Sequence, residues 1–262
     1  MKFLTVLGLL ATASGAATTS AELRFLSCPV YRDTDAGKKS GCWLATDPAS
    51  GIRYDITTAP TKADWNRAVL VEGRVAANPA DNPADNPCGG VVLEAARVSV
   101  LDRPCTRHML PAEGFPGRKF VLPDRNVRPL YASHDLPAKP WVARNFTIPF
   151  DFDSDFITYQ LSDYYLDSAV SYALDVQASR VDIIAYAATT TALISGERLA
   201  EDRAIARSRA ERVRDWFTMR GVPLQAVHIR WQDAKVPRPG PETDMLIAPS
   251  LRIVDIRITP GA

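Results

Sequence analysis

Gly196 to Gly221 reads GERLAEDRAIARSRAERVRDWFTMRG. Leu199, Ala206, Ala210, Val213 and Phe217 fall on one face at helical spacing. Gly221 stands where a left-handed residue ends a helix, so the whole stretch predicts one long helix. Upstream, FTIPFDF (146–152) and RVDIIAY (180–186) predict strands. Between them Leu161, Tyr165, Ala169, Tyr172 and Val176 lie close to one helical stripe, with Ser154 or Asp155 as the cap. Downstream, AVHIRW (226–231) and SLRIVDIRI (250–258) predict two more strands. The order β-α-β-α-β-loop-β implies helices layered on a mixed sheet, an α+β sandwich over residues 145–262.

Three pieces of this segment carry a family resemblance. FDFDS (150–154), DRAIARSRAERV (202–213) and RIVDI (252–256) occur in that order with helices between. They resemble the first-strand motif, the NxxLSxxRAxxV helix and the closing NRRVEI strand of the OmpA-like domain family, which includes OmpA, Pal and MotB. The resemblance covers less than half of the chain and implies non-covalent binding of peptidoglycan through the diaminopimelate of its stem peptide. A zwitterionic ligand end needs a planar bidentate donor for its carboxylate, which arginine supplies, and an acid for its ammonium. By this resemblance Arg209 matches the family arginine. Phe152 and Asp153 match first-strand positions near the ligand, Ile205 an apolar one, and Asp202 the asparagine of the helix motif. The family acid, from a GHxD motif after the second strand, is missing: the chain has Ala185-Tyr186-Ala187-Ala188 there. Losing a charge-assisted hydrogen bond costs about 1.5–3 kcal/mol. Asp153, Asp182 or Asp202 is the expected replacement, and the alternative is a fold whose arginine only orients a loop.

Residues 22–105 read differently. GCWLAT and GIRYDIT flank the turn Asp47 to Gly51, and AVLVEGRVA and VVLEAARVSVL follow as strands, the latter slipping phase as a bulged strand does. Short strands with little helix predict a small all-β domain, OB-like in its pattern. All four cysteines (Cys28, Cys42, Cys88, Cys105) lie in this region, at spacings unlike a zinc site. An even count predicts two disulfides with three possible connectivities, of which the nested pairing Cys28–Cys105 with Cys42–Cys88 is one. The polar repeat NPADNPADNPC reads as an exposed loop. Residues 106–144 are rich in proline yet keep Phe115, Phe120, Leu130, Tyr131 and Trp141, which predicts a connector packed on its neighbours.

The first 21 residues, MKFLTVLGLLATASGAATTSA, have the charge, apolar run and small residues of a cleaved secretory signal. Cleavage after Ala17 or Ala21 is expected, with no transmembrane segment in the mature chain and a periplasmic or outer-membrane-associated location. The hydrophobic fraction of 46% and charged fraction of 23% exclude a disordered chain, and a net charge of +1 points to no nucleic-acid partner. Asp151, Asp153 and Asp155 lack the glycine and glutamate of a calcium loop. The helical arginines interleave with Glu197, Glu201, Asp202, Glu211 and Asp215, with Arg198–Asp202 and Arg207–Glu211 at i,i+4, as a solvated ion-paired face. No HExxH, GxSxG or phosphate-cradling loop is present, and none of the five tryptophans is assigned a ligand. The expectation is an exported envelope protein, not an enzyme, with no cofactor or metal. It would bind peptidoglycan and an unidentified envelope protein or, alternatively, serve as an interaction module that has lost the wall ligand.

Overall fold

The computed structural model describes residues 22–35, 37, 41–75, 86–118 and 136–261. The leader, most of the Asn-Pro repeat, and Phe120, Leu130 and Tyr131 of the connector lie outside the described residues. The N-terminal unit contains β1 (Leu23–Ser27), β2 (Val30–Arg32), β3 (Cys42–Thr46), β4 (Arg53–Asp55), β5 (Arg67–Val75), β6 (Val91–Pro104) and β7 (His108–Leu110). They form one sheet in the order β1-β5-β6-β4-β3-β2-β7. An OB-like barrel is not shown by this order. The long β6 serves two half-sheets, pairing parallel with β4 at Val91 and Val92 and antiparallel with β5 from Leu93 onward. The phase slip in its sequence is a bulge: Arg74 faces Ala95 but Val75 faces Leu93, so β6 carries one extra residue.

Phe25, Ile56, Val69, Val71, Leu93 and Val98 fill the core of this unit. The disulfides are Cys28–Cys105, joining the ends of β1 and β6, and Cys42–Cys88, joining β3 to the approach to β6. Of the connector, Phe115 is buried against Cys42, Leu44 and Cys88, and Trp141 packs on the C-terminal core.

The C-terminal unit contains β8 (Arg144–Pro149), α1 (Tyr164–Asp175), β9 (Arg180–Ala187), β10 (Ala192–Ile194), β11 (Glu197–Leu199), α2 (Arg203–Met219), β12 (Val227–Asp233) and β13 (Ile253–Thr259). The main sheet has the order β12-β9-β13-β8, with β12 parallel to β9 and β13 antiparallel to both its neighbours. Ala206, Ala210, Val213 and Phe217 of α2, with Leu166, Ala169 and Val170 of α1, bury one face of this sheet. The small residues of α2 let its backbone approach β9 and β12.

Two sequence expectations change here. The long helix starts at Arg203, not near Gly196, because Ser195 and Gly196 are both left-handed (φ 48° and 80°) and turn a hairpin between β10 and β11. A two-residue turn with both φ positive matches the twist of paired strands. Leu199 and Arg198 therefore belong to β11 and not to the helix, which Asp202 caps by accepting from Ala204 N at 2.7 Å. The pair Arg207–Glu211 is formed on the helix surface. In the first helical segment Ser154 does not cap. Its hydroxyl accepts from Phe156 N within the loop, and a wide turn at Tyr159–Asp163 leads into α1.

The two units share a buried boundary. Leu26 and Leu70 of the N-terminal sheet pack with Phe152 and Ile194. Glu72 of β5, fully buried, accepts from Arg24 Nε at 3.0 Å and from Arg252 Nη1 at 3.2 Å and Nη2, so one carboxylate joins both units. Arg97 of β6 pairs with Asp244 at 2.8 Å, and Ser99 Oγ accepts from Phe152 N at 2.8 Å. The β10–β11 hairpin is held as well: Leu26 N donates to Ser195 Oγ at 3.0 Å, and Arg103 grips Glu197 through two bonds of 2.6 and 2.5 Å.

Candidate functional site

Arg209 lies on the sheet-facing side of α2 among alanines and is fully buried. Burying a guanidinium is costly unless each N–H finds an acceptor. Here every one does. Nε donates to Ser154 O at 2.8 Å, Nη1 to Tyr186 O at 2.9 Å and Glu201 Oε2 at 3.1 Å, and Nη2 to Asp151 O at 3.0 Å and Glu201 Oε1 at 2.6 Å. The two carbonyls at 151 and 154 belong to the FDFDS loop and the third to the end of β9. One side chain thus ties three segments of the domain together.

Glu201 is the counter-ion, and sequence reasoning placed it wrongly, on a solvated helix face. It precedes the cap of α2, and its carboxylate has no exposed surface. Besides the Arg209 fork it accepts from Asp153 N at 2.8 Å and Ala188 N at 2.7 Å. Burial pushes its pKa up, but the charge and hydrogen bonds of Arg209, the Arg252 charge and the Ala188 N–H outweigh this and hold it below the ordinary carboxylate value. Two guanidinium donors and two backbone N–H groups converging on one carboxylate make a carboxylate-binding hole, and the chain fills it with its own residue.

Of the other candidate residues, Asp153 reaches this hole through its backbone N–H, and the rest diverge from it. Phe152 points into the boundary between the units, at Leu26 and Leu70. Asp153 has a left-handed backbone (φ 51°) that turns its N–H toward Glu201. Its carboxyl is pushed up by partial burial and by the Glu201 charge beside it. Asp202 caps α2, Ile205 packs half-buried on the core, and Asp182 is gripped by Arg180 at 2.7 Å. The Asp151 carboxylate turns to Thr61 of the other unit, while Asp155 accepts from Ser208 and from Arg212 at 3.3 Å. No group of three or more metal-ligating side chains occurs among the described residues. Trp43, Trp65 and Tyr31 pack against one another at tilted and edge-on angles in the N-terminal unit.

No family model and no curated protein matches the chain. Among solved structures, the chain is similar to the OmpA-like domain of FopA1 from Francisella tularensis, at 16% identity over 46% of this chain and 77% of that one, with a TM-score of 0.34. It is also similar to a putative MotB-like protein from Desulfovibrio vulgaris, at 11% identity over 46% of this chain and 75% of that one, with a TM-score of 0.34. A third is the periplasmic domain of Helicobacter pylori MotB, at 18% identity over 46% and 76%, with a TM-score of 0.32.

Proposed function

We propose that the protein is an exported envelope scaffold whose OmpA-like unit has exchanged its wall ligand for an internal carboxylate and acts as a protein-interaction module. The observation that carries this reading is the Glu201 carboxylate seated on Arg209. All five N–H groups of that arginine are committed inside the chain, so a diaminopimelate carboxylate would have to displace a buried ion pair to reach it. Ala188 at the position of the family acid supports the same reading, because an alanine side chain cannot receive the ligand's ammonium. Export rests on the leader and on two disulfides, which persist in oxidising compartments. The role is structural. The shared boundary makes a rigid platform of both units, and the partner is another envelope protein.

Sedimentation with purified diaminopimelate-type sacculi tests this. The mature protein is expected to remain in the supernatant. Retention of the wild type that free diaminopimelate competes away would restore the wall-anchor reading.

A further inference from the structure

A cleft of about 530 Å³ opens between the two units, where the segment at Pro60–Lys62 and Val100 of β6 face the loop 151–158. It lies on the other side of that loop from Arg209: the loop's carbonyls point to Arg209, while the Asp151 side chain points across the boundary. Clefts of this size at domain boundaries, mostly apolar with a few convergent polar groups, are where small ligands bind.

Lys62 and Asp151, of opposite charge type, are among its lining residues. Lys62 Nζ donates to Thr57 O at 2.8 Å and Ala59 O at 2.6 Å, which fixes the ammonium and leaves its third N–H without a protein acceptor among the described residues. Asp151 Oδ2 accepts from Thr61 Oγ1 at 2.7 Å and from Thr158 Oγ1 at 3.5 Å, and Oδ1 accepts no hydrogen bond among the described residues. Burial, with Arg118 nearby and Asp55 opposing, lowers Lys62 to about 8. Burial also raises Asp151 against the favourable pull of Thr61, Arg252 and Arg97, with Glu72 adding to the rise. Each group would gain from a ligand charge of opposite sign. Phe156, 68% exposed, stands with Pro60 and Val100 as the apolar wall.

We infer that this inter-unit cleft binds a small zwitterion, an amino acid or dipeptide with an apolar side chain. Its ammonium is received by Asp151 Oδ1, its carboxylate by the third N–H of Lys62, and its side chain by Phe156. The site is separate from the Arg209 hole, so its failure leaves the proposed function untouched.

The test is an amide NMR titration of the mature protein with four probes: leucine, alanyl-leucine, leucinamide (cation only) and acetyl-leucine (anion only). At least one zwitterion is expected to shift Thr61, Val100, Asp151 and Phe156 saturably, and to bind tenfold or more tightly than either singly charged probe. The two zwitterions differ in charge separation, so the tighter of them identifies the ligand as amino acid or dipeptide. Asp151→Asn and Lys62→Met should each weaken binding tenfold or more. Phe156→Ala, a change at an exposed position that leaves the fold intact, should weaken it several-fold. Absence of saturable shifts with both zwitterions, equal binding of all four probes, or shifts centred on Ala188 and Arg209 instead would each overturn the inference.

Discussion

Glu201→Gln is expected to lower the unfolding free energy at neutral pH by about 3–5 kcal/mol, because it leaves the buried Arg209 charge without its counter-ion. The loss is read from urea midpoints with an unchanged slope. It should depend on pH in a defined direction. Glu201 titrates below its ordinary value of 4.5 in the folded state, so the pair stabilises fully above that value and the benefit fades as pH falls through the depressed folded pKa. The gap between wild type and Glu201→Gln should therefore narrow on acidification below pH 4.5, since the variant has no carboxyl to protonate there. A gap of the same size at neutral and acid pH would mean that Arg209 is not paired as described. Glu201→Ala adds a second handle. It empties a carboxylate-shaped space lined by the Arg209 fork and the N–H groups of Ala188 and Asp153, so acetate should raise its midpoint relative to chloride at equal ionic strength. The wild type, whose hole is filled, should show no such difference.

Glu72→Gln is expected to cost a comparable 3–5 kcal/mol, roughly, for a different reason. Among the described residues its carboxylate is the acid that Arg252 contacts directly, across the unit boundary, and Arg252 is almost wholly buried. Removing it strands that charge, whereas Arg24, partly exposed, can turn to water. The double variant Glu72→Met with Arg252→Met should lie closer to wild type than either single change, because it removes the charges as well as their pairing. Calorimetry should also show the single variants beginning to unfold as two units where the wild type unfolds as one. Additive losses in the double variant would contradict this account of the boundary.

The layering of the C-terminal unit was legible because its periodicities are clean. RVDIIAY alternates over its length as β9, and Ala206, Ala210, Val213 and Phe217 recur at helical spacing as the buried stripe of α2. The start of α2 is not legible in the sequence because Glu197, Arg198 and Leu199 are tolerable helix residues. The Ser195-Gly196 turn overrides that local preference, and the hairpin it forms is held by Leu26 and Arg103 of the other unit. Glu201 was missed for the same reason: counted as a helix residue it belongs on a charged surface, whereas one residue before the cap it turns inward. In β5, Val69 and Val71 mark one buried face, but Leu70 and Glu72 on the opposite face are equally buried. Alternation marks a strand with one wet face. The other face of β5 is covered by the second unit, and no local pattern reports a partner distant in sequence. A glutamate at such a position reads as solvent-facing until Arg252 is seen opposite it.

In the proposed scaffold the fork of Arg209 is closed to outside carboxylates, and its own N–H signal reports this most directly. In a spectrum of arginine Nε–H groups, the Arg209 resonance should be slow to exchange with solvent and unmoved by meso-diaminopimelate up to millimolar concentration. A saturable shift of that resonance, accompanied by shifts of Ala188 N–H and Asp153 N–H as Glu201 is displaced, would contradict it.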